Sequence, residues 1–128
     1  MKFAYDLIQR VCKHPGATTA VEFAILAPVF LLLLVGTVNM SLMLFTIGSM
    51  HYAVEDAARC ASVKTTICSD SASTVTYAKS RFFSAVVKPT FSATAAACGN
   101  QVTATATYAF VTGVSTISVP LSATDCFP

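Results

Sequence analysis

The sequence predicts an α+β protein with one long N-terminal helix, a short second helix and a small antiparallel sheet. Three observations carry that expectation. Residues 23–50 contain no Lys, Arg, Asp, Glu or His. Small and apolar residues then recur at spacings of three and four as far as Ala61, and beyond Pro89 the apolar period falls to two.

The composition narrows the class. Of 128 residues, 55% are hydrophobic and 11% charged, where a soluble domain averages about 25% charged. Mean hydropathy is +0.68. These values argue against a freely soluble small domain, which needs ions to cover its surface, and against a disordered chain, which needs low hydrophobicity and high charge. The net charge of +2 sits wholly in residues 1–16, where Lys2, Arg10 and Lys13 outnumber Asp6. No later cluster of Lys or Arg offers a nucleic-acid face.

The first helix is expected over residues 18–63. As a helix, residues 23–47 alone span about 37 Å, against a hydrocarbon core of about 30 Å. The basic flank precedes this span and Glu55 and Asp56 follow it, an asymmetry that places the N-terminus on the cytoplasmic side. The expected division is a basic cytoplasmic leader at 1–16, a transmembrane helix at 17–50 and an extracytoplasmic α+β domain at 51–128. No A-x-A-like signal-peptidase site stands before Ala53, so the apolar segment is expected to stay in the mature chain. Pro28 interrupts the helix and is expected to kink it, with Gly36 and Gly48 softening the rod. Asn39, Ser41 and Thr46 would make polar contacts between packed helices.

Past the span, Met50, Ala53, Val54, Ala57, Ala58 and Ala61 share one face, mostly alanine, which another element can approach closely. Glu55 and Arg59 would pair at i,i+4, and the adjacent Glu55 and Asp56 read as a solvated face. A second helix follows, with Val75, Ala78, Phe82, Ala85 and Val86 on one side, Ser71 or Ser73 as cap and Pro89 as stop. Strands are then expected at 90–97, along Val102, Ala104, Ala106, Tyr108 and Phe110, and along Ile117, Val119, Leu121 and Ala123. Pro120 confines the last strand to an edge or a bulge.

Five cysteines are present: Cys12 in the leader, then Cys60, Cys68, Cys98 and Cys126. The even outer set suggests disulfides in an oxidising compartment. Four cysteines allow three connectivities. Cys60 with Cys68 would tie the helix end to the following loop, and Cys98 with Cys126 would close the last hairpin around Thr112 and Gly113. The strand parities of Cys98 and Cys126 conflict, which a bulge near Gly99 or Pro120 would repair. No C-x-x-C or neighbouring His supports a metal site, and no cofactor is expected.

The segment HPGATTAVEF at residues 14–23 joins the basic leader to the apolar helix through a glycine and a Glu-aromatic pair, Glu22 and Phe23. Here the chain resembles the TadE-like minor pilins, or pseudopilins, of Flp-type tight-adherence pili. The resemblance is carried by GATTAVEFAILAPVFLLLL at residues 16–34. It covers residues 14–63 and extends more loosely to the Cys-bearing, Ser/Thr-rich tail. It implies a lollipop-like pilin architecture, and cleavage by a membrane prepilin peptidase after the glycine, at Gly16–Ala17. The family's Glu usually stands five residues past the glycine, whereas Glu22 stands six past Gly16; cleavage after Ala17 would restore the spacing.

Two readings of Glu22 stand side by side. It is an interfacial carboxylate, or, as the resemblance implies, the partner of a neighbouring subunit's new α-amino group that sets axial register. Within one helix Ala17 and Glu22 point about 140° apart at 100° per residue, which disfavours a pair inside one subunit. The resemblance further implies, as partners, the lipid bilayer, other pilin or pseudopilin subunits and the Flp/Tad inner-membrane platform, with the bacterial inner membrane or the pilus as location. An uncleaved single-pass adaptor of the same machine and an extracytoplasmic binding module are the alternatives. His14 and His51 belong to no Ser/His/Asp set, carboxylate pair or phosphate loop, so the chain is read as a protease substrate and not an enzyme.

Overall fold

A computed structural model describes residues 17–128, with side chains from Thr19 onward. The leader expected at 1–16, with Cys12, His14 and Gly16, lies outside the described residues. Helix α1 (Ala17–Val63) is followed by α2 (Ser71–Arg81), then β1 (Thr90–Ala96), β2 (Gly99–Val111) and β3 (Thr116–Phe127). The strands form one antiparallel sheet in the order β1-β2-β3. This is the α+β architecture expected from the sequence.

The 47 residues of α1 run without a break through Pro28, a length of about 70 Å. Its C-terminal half carries the core. Met50, Ala53, Val54, Ala57 and Ala58 are fully buried against Val102, Ala104, Tyr108, Leu121 and Ala123 of the sheet. Burying a side chain of Val or Leu size stabilises by about 1.5–3 kcal/mol. The alanines therefore contribute mainly by admitting the sheet backbone, while Met50, Val54, Val102, Tyr108 and Leu121 supply most of the burial. Inward residues alternate as the period of two requires, with Phe91 and the half-buried Ala93 completing the face on β1.

Helix α2 differs from the sequence reading at both ends. Its cap is Asp70, one residue before Ser71: Ser73 N–H donates to Asp70 Oδ1 at 2.7 Å, and Asp70 N–H donates to Ser73 Oγ at 3.1 Å. Ser73 is thus the reciprocal partner of a capping box, not the cap. The helix also stops at Arg81, well short of Pro89, because Phe82 turns extended. Phe83 N–H then donates to Ser49 Oγ at 2.8 Å, and Ser84 Oγ lies 2.9 Å from Thr46 Oγ1. Two hydroxyls of α1 and a Phe82–Phe91 edge contact draw the 82–87 segment onto α1 as a loop, where the periodicity alone continued the helix.

The register of β2 and β3 is unbroken from Asn100↔Phe127 to Val111↔Thr116, so no bulge occurs at Gly99 or Pro120. Pro120 is tolerated because β3 is an edge strand. The parity conflict of the cysteines dissolves for another reason. Since Ala96 pairs with Gly99, Cys98 sits in the two-residue turn between β1 and β2 and has no strand face.

Asp70 is held below its ordinary value of 3.8, chiefly by the backbone N–H of Ser73. A depressed folded-state value means that the stabilisation is full above 3.8 and fades as pH falls through the lowered value. Asp70→Ala is therefore expected to lower the thermal midpoint at neutral pH and to lose that difference in acid. Asp70→Asn, a neutral cap, should keep most of the midpoint and shed the acid dependence. Melts followed by circular dichroism across an acid series check both.

Candidate functional site

The N-terminal half of α1 is an uncovered apolar rod. From Val21 to Val35 the large apolar side chains are exposed around the circumference, Phe23 at 73%, whereas Asn39 and Met43 are half-buried on one face; the helix is long and apolar enough to cross a membrane. A helix apolar on all sides needs lipid or like helices around it. Glu22 is exposed near its start and is the lone ionisable residue of α1 before His51. Phe23 beside it is equally uncovered, Pro28 lies two turns further along, and Ala17 opens the helix. These positions share the N-terminal end of the rod; Gly16 lies outside the described residues.

The polar groups of this helix are satisfied locally. Thr37, Asn39, Ser41 and Thr46 each donate to the carbonyl four residues earlier, at 2.6, 3.0, 2.9 and 2.8 Å. Asn39, Ser41 and Thr46, expected to link separate helices, are thus bonded within α1. Two of them also hold the chain's own domain. Tyr108 Oη donates to Asn39 O at 3.1 Å, Val111 N–H donates to Asn39 Oδ1 at 3.4 Å, and Thr46 meets Ser84. Past Val111 the turn reaches further still: a Cβ placed on Gly113 would lie 2.9 Å from Leu32 Cδ2. Charge marks a division of α1 at residue 50, but packing begins much earlier along the rod.

Both outer cysteine pairs are joined. Cys60 bridges Cys68 with Cα atoms 5.8 Å apart, tying the end of α1 to the loop before α2. Cys98 bridges Cys126 with Cα atoms 6.2 Å apart, fastening the β1–β2 turn to the end of β3. The second bridge therefore closes the open end of the β2–β3 hairpin, as expected from the sequence, and also holds the β1–β2 turn. Nearby, Ser62 Oγ donates to Phe127 O at 3.0 Å and Asn100 Nδ2 donates to Ser62 Oγ at 3.0 Å. The far end of the domain is thereby locked to the end of α1.

The sequence reading missed one cluster. Asp56, taken with Glu55 as a solvated face, is half-buried and lies 2.9 Å from Arg81 Nε. Tyr77 Oη donates to Asp56 Oδ2 at 3.1 Å, Arg81 Nη2 donates to Tyr77 Oη at 2.7 Å, and the guanidinium stacks 4.8 Å over the Tyr77 ring. Arg81 Nε is not aligned for a hydrogen bond, so its contact with Asp56 is coulombic. The Tyr77 hydrogen bond, ahead of Asp56, pushes Arg81 above its ordinary range. The ion pair that forms among the described residues joins these two helices and not Glu55 to Arg59, both exposed. The i,i+4 spacing of Tyr77 and Arg81 was the available signal; their partner 21 residues away was not. Among the described residues no three His, Cys, Asp or Glu gather as metal ligands.

Residues 17–59 match the family model described as TadE-like protein. The long helix is similar to that family's model. No curated protein and no solved structure matches the chain. The TadE-like match begins where α1 begins and stops beside Cys60, so it takes in the free apolar rod, Glu22, Phe23, Pro28 and the alanine face. Helix α2 and the sheet lie beyond it. What the TadE-like segment offers is a helix with two clients: its own domain on one half, and an apolar environment on the other.

In the chain-entropy treatment, closing loops with sequence separations of 8 and 28 residues stabilises by about 2.5 and about 3.6 kcal/mol. Replacing Cys98 and Cys126 by Ser should therefore cost the folded domain more than replacing Cys60 and Cys68. Denaturant titration of the full chain in detergent, with and without reductant, ranks the two pairs.

Proposed function

We propose that this chain is a minor pilin or pseudopilin-like subunit that takes part in assembly of a Flp/Tad-type pilus or related secretion apparatus. The observation that carries the reading is the TadE-like match on a helix whose large apolar side chains from Val21 to Val35 are exposed among the described residues. In this reading residues 17–50 cross the bacterial inner membrane, residues 1–16 face the cytoplasm and residues 51–128 fold in the periplasm. The basic leader and the two disulfides support that orientation, because thiols pair in oxidising compartments.

Assembly would move α1 from lipid into a bundle of like helices. Dispersion and close packing hold such a bundle, since lipid tails are as apolar as the helix and no hydrophobic gain separates the two states. Axial register then needs a polar pair, and Glu22 is the lone candidate on this half of α1. A prepilin peptidase cutting at Gly16–Ala17, or one residue later, would create the α-amino group that a neighbouring subunit's Glu22 meets. Burial among helices strengthens that attraction over its value in water. The outer domain stays folded throughout and makes the contacts with other subunits and the inner-membrane platform.

Glu22→Ala is expected to abolish most assembly of the protein into pili while leaving its level in the membrane and its disulfides unchanged; Glu22→Asp should restore part of it. Immunogold labelling of sheared pili reads the outcome, and signal confined to the envelope even for the unaltered chain would instead identify an adaptor. Mass analysis of the N-terminus of assembled protein decides between the two cleavage bonds. An intact Met1 there would remove processing from the account.

A further inference from the structure

The turn between β2 and β3 lies alongside the apolar rod and not at the far end of the domain. Residues 112–115 form it, and Gly113 adopts φ +89 with its Cα in van der Waals reach of Leu32. Val114 is 85% exposed and Ile117 53% exposed. Leu32 falls in the middle of the charge-free segment 23–50. The uncovered helix that remains on its N-terminal side, residues 19–31, is about 20 Å long, well short of a hydrocarbon core of about 30 Å. For α1 to span lipid, the bilayer must extend past Leu32 and so take in the turn beside it.

Two independent features fit the turn for that setting. First, between Lys88 and Asp125 the chain has no Lys, Arg, Asp, Glu or His, so no ionised side chain in the turn or its flanking strands opposes contact with lipid. Second, its polar groups bond to one another. Thr112 N–H donates to Ser115 O at 2.9 Å, Thr112 Oγ1 donates to the same oxygen at 3.0 Å, and Ser115 N–H donates to Thr112 Oγ1 at 3.1 Å. Thr and Ser close turns in water too, and here the closure lowers the cost of placing this turn in the headgroup–acyl boundary. The hairpin is also held at this depth: Tyr108 and Val111 both bond Asn39, two turns above Leu32.

From this geometry we propose that the β2–β3 turn is a second membrane contact, with Val114 and Ile117 seated in the acyl chains at the outer leaflet and α1 as the span beside them. Elements of this kind sink about 5–10 Å into the boundary. The proposal rests on α1 crossing the membrane, and the test separates the two claims. The chain has no tryptophan, so Val114→Trp, Phe30→Trp and Ser69→Trp each provide a single fluorophore in the turn, in α1 and in the loop remote from the rod.

Each full-length variant is reconstituted in phosphatidylcholine–phosphatidylglycerol vesicles with and without brominated acyl chains. Phe30→Trp and Val114→Trp are both expected to emit in the blue, to lose most of their emission to bromolipid and to be shielded from iodide. Ser69→Trp is expected to behave oppositely. A Val114→Trp signal quenched by iodide and not by bromolipid, with Phe30→Trp quenched by bromolipid, would overturn the turn's contact alone. Loss of bromolipid quenching at both positions would overturn the span as well. Blue emission of Val114→Trp that ignores bromolipid and fades as the vesicles are diluted in protein would assign the turn to a second copy, and also defeats the proposal.

Discussion

The close approach of the sheet to the alanine face of α1 is the contact on which the other features depend. A three-stranded sheet of this size has one face to bury and cannot cover it alone. Ala53, Ala57 and Ala58 let β2 and β3 lie near the helix axis, and Ala104 and Ala123 answer them from the sheet. With small residues on both sides, the larger side chains Met50, Val54, Tyr108 and Leu121 fill the flanks. The Ser62–Phe127 and Asn39–Tyr108 hydrogen bonds then clamp this layer at its two ends, while the disulfides tie α1 to the loop before α2 and the β1–β2 turn to β3. Without the alanine face the clamps would join elements that had no reason to be adjacent.

That contact also explains which parts of the fold were legible in the sequence. Periodicity identified α1, its buried face and the inward residues of the strands, because those features repeat every 3.6 or two residues and need no knowledge of a partner. Where the structure departs from the expectation, a distant partner intervenes. Helix α2 stops at Arg81 because Ser49 and Thr46, more than thirty residues earlier, capture Phe83 and Ser84; the local pattern of Ala85 and Val86 continued the helix. Asp56 looked solvated because Arg81 and Tyr77 approach it from another element. Cys98 seemed to have a strand face because the two-residue turn that frees it begins at Ala97, where the alternation of small residues gives no sign of an end. Free-end residues such as Glu22 and Phe23 were visible as a motif, and both are exposed in the fold.

The low charge of the molecule is compatible with an ordered domain because hydroxyls replace ions in a specific way. Thr37, Ser41, Thr46, Thr74 and Thr76 return their protons to helix carbonyls four residues back, so each is polar in composition yet makes little demand on water. Such bonds are close to neutral for helix stability, and their value here is compatibility with either solvent. The charged latch seen among the described residues, Asp56 with Arg81, stands on the half of α1 beyond residue 50, where water can reach it. Ion pairs of this half-exposed type contribute up to about 1 kcal/mol, so the latch orients α2 more than it stabilises the fold.

The packing of the sheet so far down α1 has a mechanical consequence. Asn39 is bonded by both Tyr108 and Val111, and Gly113 sits against Leu32, so the β2–β3 hairpin is attached to the rod and not merely to the domain above it. Any displacement of α1 along its axis must carry the hairpin with it. A subunit passing from bilayer to helical bundle would therefore bring two apolar surfaces at once, the circumference of the rod around Phe30 and the valine of the turn at Val114. A neighbour that covers only the rod would leave Val114 in water, at a cost of about 1.5–3 kcal/mol for a side chain of that size. Packing that covers both is favoured by that amount. In the proposed assembly the hairpin and the glutamate would act on the same choice, the axial stagger of adjacent subunits, from points about 15 Å apart along one helix.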